Sequence, residues 1–234
     1  LWNESVAARL DAILMALGQE FDRDPNLEAV NLPESAPSAR LEASPQKGVE
    51  PYTEQRYFNA LKRQMTTLRH AFPQTVVIQY TNFPTTLLDA LTDYEMEIGV
   101  GMGGPDVYPR EDAVSNPDHG IYRHYPKLAG TVPLGAAVQS ENYTVELKKR
   151  SRLRRGQTVA DGKPVVILPG DEDPIPVREH LHLAQEKLKL NSLFWSASPA
   201  RYFEAVPKLL TEPELASDPA GGLASAQPTK AFLR

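Results

Sequence analysis

The chain has 234 residues, a formal net charge of -5 and an isoelectric point near 5.6, with 41% hydrophobic and 24% charged residues. That is ordinary globular composition, which excludes wholesale disorder, and its acidic balance gives nucleic acid no electrostatic hold. There is no cysteine, so disulfides, a thiol nucleophile and Cys-ligated zinc are excluded, and no apolar run approaches the roughly 18 residues of a membrane helix.

The first residue is Leu1 rather than Met, and helical spacing begins almost at once. The expectation is a chain met part-way, with its true start elsewhere. Val6, Leu10, Ile13, Leu14 and Leu17 form one stripe at the 3.6-residue period, with Ser5 near the cap position, so a helix is predicted that Asp24-Pro25 ends. Residues 27–32 (LEAVNL) read as a short strand stopped by Pro33, and residues 35–52 as a loop. Tyr57, Leu61, Met65, Leu68 and Phe72 share a face of a second helix over 53–72, with Thr53 as cap.

The β-branched run 75–80 (TVVIQY) is a strand covered on both faces. A weaker helix over 86–96 leads into a third strand, 97–101, and a short helix over 121–128 leads into a fourth, 131–139. A polar, basic excursion follows, then a helix over 176–188, a fifth strand over 191–195 and a closing helix over 201–210. Residues 211–234 form a loose Ala-, Pro- and Gly-rich tail.

Strands and helices alternate throughout, which predicts right-handed βαβ units and a parallel sheet. The expected fold is α/β, a partial (β/α)8 barrel of the TIM type in which residues 1–210 supply about five units and the N-terminal units are missing. It should show an open sheet with an unpaired edge, because eight units make a closed barrel.

In such a fold the chemistry gathers where strands end. The five ends carry Asn31 and Glu34; Tyr80 and Asn82; Asp106; Gln139, Glu141 and Asn142; and Trp195. Amides and carboxylates pair with sugar hydroxyls while aromatic rings cover C–H faces, and glycoside hydrolysis needs two carboxyls flanking the bond. The helix over 6–21 after Trp2, the segment FDRDPNLEAVNLPES and the late strand ending in FW resemble the clan A type of (β/α)8 glycoside hydrolases, which contains cellulases, mannanases and β-galactosidases.

The resemblance covers about residues 1 to 210. It implies Glu34 as acid/base, Glu141 as nucleophile and Trp195 as aromatic platform, in a retaining hydrolysis of a β-linked oligo- or polysaccharide. Asn31, Tyr80, Asn82, Asp106, Gln139 and Asn142 are then substrate-binding candidates, with Asp106 also a substitute second carboxylate. Where the clan has adjacent Asn-Glu, this chain has Asn31-Leu32-Pro33-Glu34, and Glu141 lies two residues past Gln139. The alternative reading is a catalytically silent carbohydrate-binding barrel. A third reading, a barrel enzyme of unrelated chemistry such as an isomerase, finds no metal cluster or phosphate loop to support it. No cofactor, nucleic acid or membrane partner is expected. The oligomeric state and the compartment stay open, with secretion or the periplasm favoured.

Several signals are discounted. Gly99-Val100-Gly101-Met102-Gly103-Gly104 satisfies G-x-G-x-x-G, but Pro105 through Pro109 prevents the helix a dinucleotide site requires, and the glycines are read as a strained loop beside the ligand. His180 and His182 point to different faces of their helix, and His119 and His124 are isolated. The basic run 148–155 is read as a solvated excursion, and the sequons at Asn3 and Asn142 are of a length that chance supplies.

Overall fold

The computed structural model describes residues 1–36, 50–110, 120–154, 156, 164–209 and 211. Residues 37–49 of the predicted first loop, His119, Leu210 and residues 212–234 of the predicted tail lie outside the described residues. The chain runs α1 (Glu4–Phe21), β1 (Ala29–Leu32), α2 (Glu54–Ala71), β2 (Val76–Tyr80), α3 (Leu88–Ile98) and β3 (Gly101–Gly104). It continues through α4 (Tyr125–Leu128), β4 (Leu134–Val138), α5 (Val145–Arg154), α6 (Val177–His182), β5 (Ser192–Trp195), α7 (Ala200–Phe203) and α8 (Ala205–Leu209).

The five strands form one sheet in the order β1-β2-β3-β4-β5, and every neighbouring pair is parallel. The sheet is curled into a half-barrel, so the fold is α/β as the alternation of elements predicts. Among the described residues both β1 and β5 have a single strand neighbour, which leaves two sheet edges rather than one.

Registered residues share a face of the sheet. Val77, Met102, Leu134, Ala136 and Val138 turn to the helix layer and are at most 1% exposed. They belong to two apolar clusters, one around Leu14, Leu61, Met65 and Leu68, the other around Tyr125, Leu128, Tyr143 and Leu188. The concave face carries Asn31, Ile78, Tyr80, Gly103, Ala137 and Phe194, of which Ile78 is 1% and Phe194 45% exposed.

Several local expectations need correction. The predicted α1 stripe is largely outward: Val6, Ile13 and Leu17 are 56%, 57% and 42% exposed, and Ala7, Leu14 and Gly18 make the contact with α2. Periodicity identifies an apolar face but not which neighbour covers it. Asn3, not Ser5, caps α1 through a hydrogen bond from Val6 N–H. Thr53 caps α2 as expected, accepting from Arg56 N–H at 3.1 Å.

The third strand is Gly101–Gly104 rather than 97–101, because α3 continues to Ile98 and stops at Gly99, whose φ of 69° is the left-handed cap that favours glycine. The remaining three glycines of the G-x-G-x-x-G match are therefore buried strand residues rather than a strained loop. The basic excursion is a helix, α5, with Lys148 and Ser151 buried. The helix predicted over 176–188 is α6 followed by a π-helical turn, Leu183–Lys187, and the closing helix is split at Glu204.

Candidate functional site

The parallel sheet sends the C-terminal ends of all five strands to one rim. At the β1 end, Leu32 is buried against the helices while Asn31, Pro33 and Glu34 are exposed. Glu34 accepts a hydrogen bond on Oε1 from Asn82 Nδ2, which follows β2. Ser35, 1% exposed, connects the same two ends: its N–H donates to Tyr80 O at 2.8 Å, and its Oγ accepts from the N–H groups of Asn82 and Phe83, both at 2.9 Å. Gln79 adds a further tie, its Nε2 donating to Pro33 O at 2.7 Å.

Beneath this rim, Thr81 donates to Glu95 of α3, whose carboxyl is fully buried. Burial pushes the Glu95 pKa well above the ordinary carboxyl value, and the Thr81 hydrogen bond opposes this only in part. Glu95 Oε2 and the hydroxyl of Tyr125 are buried with no hydrogen-bond partner among the described residues.

The ends of β3 and β4 form a second, closed network. Asp106 accepts from Asn142 Nδ2 at 2.7 Å on one carboxylate oxygen and from Lys148 Nζ at 2.8 Å on the other. Asn142 Oδ1 accepts from Gln139 N–H at 2.8 Å, and Asn142 O faces His180 Nε2 at 3.0 Å. His180 is fully buried, and that burial lowers its pKa, opposed by the carbonyls of Asn142 and Pro176 that its two ring nitrogens face. Asn142 is itself 0% exposed, with its side chain bonded to Asp106 and to the Gln139 backbone, which makes its sequon unreachable as folded.

Glu141 accepts from Ser151 Oγ of α5 at 3.2 Å, so one of its carboxylate oxygens is turned to the helix layer. Trp195 is registered with Val138 and therefore points to the helix face, where its ring lies 5.8 Å from that of His180 in an edge-on arrangement. Among the predicted site residues, Asn31, Tyr80, Asn82 and Glu34 are thus gathered along the β1 and β2 ends. Asp106, Gln139 and Asn142 form the separate network at the β3 and β4 ends, and Glu141 and Trp195 turn toward helices. The tyrosine ring crosses Gly103, where an added Cβ would come within 2.7 Å of it.

Ser35, Lys148, Thr81 and Glu95 are not among the residues that the sequence marks as site candidates. Glu95 was legible, since Leu88, Leu91, Thr92 and Glu95 share one helical face. Lys148 carried no such signal inside a run of basic residues. Among the described residues no group of three or more His, Asp or Glu side chains is placed to hold a metal ion, and no helix is long and apolar enough to cross a membrane.

No family model, curated protein or solved structure matches this chain.

Proposed function

We infer that the chain is part of a (β/α)8-type barrel whose rim hydrolyses a β-linked oligo- or polysaccharide, with Glu34 as the general acid. The observation that carries this reading is the placement of Glu34: an exposed carboxyl at a strand C-terminus, oriented by an amide from the neighbouring strand. A general acid needs that combination of access and fixed orientation. Its proton would pass to the glycosidic oxygen as the C–O bond breaks, the bonding pair leaving with that oxygen. In the retaining form the second carboxylate, Glu141, takes the anomeric carbon, and water activated by Glu34 then releases it. Tyr80 and Asn31, on the concave face below, supply a ring and an amide for the sugar.

A second reading, a saccharide-binding barrel without hydrolysis, is favoured by the other two predicted members. Glu141 is bonded to Ser151 and Trp195 packs edge-on against His180, so both are directed to the helix layer. Glu34→Gln in the full polypeptide separates the readings. The amide keeps the shape but cannot protonate a leaving group, so aryl glycoside hydrolysis should fall by about 10²–10⁴-fold with saccharide affinity nearly intact. Activity unchanged by the substitution excludes Glu34 as the acid, and a wild type that binds saccharide but hydrolyses no aryl glycoside supports the binder.

A further inference from the structure

The amide of Asn82 has one orientation that satisfies its surroundings. Its Oδ1 accepts from Ser35 Oγ at 3.2 Å and from Ala36 N–H at 3.0 Å, so Nδ2 is the atom that faces Glu34. Ser35 is saturated in turn: its hydroxyl donates once and accepts twice, its N–H reaches Tyr80 O, and its carbonyl accepts from Tyr57 Oη at 2.6 Å. A half-buried asparagine, locked by a buried serine whose hydrogen bonds are all made, therefore carries an exposed carboxyl. An untethered glutamate on the surface samples several rotamers, and proton transfer needs one of them.

We propose that Asn82 is the positioning residue of the Glu34 acid and that Ser35 locks Asn82 in place. This rests on the hydrolytic reading above. The amide partner comes from the end of the next strand, whereas Asn31, three residues before Glu34, lies on the concave face of β1. With Oε1 held by Asn82, Oε2 is the oxygen that presents the proton.

The test compares leaving groups. Dinitrophenyl β-glycosides depart with little protonation, whereas methylphenyl β-glycosides depend on the acid. In the full polypeptide, Asn82→Ala should lower kcat/KM, which reports the leaving-group step alone, on methylphenyl substrates by about 10–100-fold, and leave kcat/KM on dinitrophenyl substrates within about twofold. Asn82→Asp is the second variant, since its carboxylate can still accept from Ser35 and Ala36 and so preserves the clamp if the alanine variant does not fold. It should show the same split, because it cannot donate to Glu34. An equal fall on both substrates, or no fall on either, overturns the assignment while leaving the hydrolytic reading standing. A wild type that hydrolyses neither substrate removes both together.

Discussion

Lys148 Nζ lies 2.8 Å from Asp106 Oδ2, joining α5 to the end of β3 across the loop that follows β4. The two side chains are 8% and 20% exposed, so water screens their attraction weakly. A residue from a run of six basic side chains in eight positions is thereby withdrawn into the fold, where it offsets the charge of Asp106.

Because the pair is largely desolvated, removing one partner strands the other. Lys148→Met should destabilise the fold by about 3 kcal/mol, and combining it with Asp106→Asn should recover part of that loss. Urea unfolding of the two single variants and the double variant measures the coupling. Losses that simply add would mean that the two groups do not interact.

The buried Glu95 makes stability depend on pH. Its carboxyl is ordinary near 4.5 in the unfolded chain and raised by burial in the folded one, so between those values the folded chain holds the extra proton. Its stability contribution is therefore complete below about pH 4.5 and falls as pH rises toward the folded value, by about 1.4 kcal/mol per unit. Glu95→Gln should flatten this slope and exceed the wild type in stability near pH 8. Urea midpoints at about pH 5 and about pH 8 check it, and equal slopes in the two proteins would show that Glu95 does not carry the effect.

The α1–α2 contact is set by an absent side chain. A Cβ on Gly18 would stand 2.1 Å from Ala71 O, a backbone atom that cannot swing aside. Alanine is favoured over glycine by about 1 kcal/mol in a helix interior, yet Gly18→Ala should lower stability by about 1–3 kcal/mol because the two helices must separate. A thermal midpoint at or above that of the wild type would show that the contact relaxes freely.

The alternation of elements was legible in the residues alone. Runs such as Val76-Val77-Ile78 and the helical spacing of Tyr57, Leu61, Met65 and Leu68 are local signals, and a parallel sheet follows from their order because each strand is returned by a helix. The same locality explains why Glu34 could be placed at a strand end. The tertiary structure decided which way the side chains there face and what they meet. Trp195 turns to the helices because its register with Val138 assigns it that face, and a one-residue change of register would have turned it to the concave side. Asp106 is closed by a lysine 42 residues away, and Glu34 is held by an asparagine 48 residues away. Pairings of that sequence separation leave no periodic trace in the chain, because strand register and helix packing create them only once the sheet has formed.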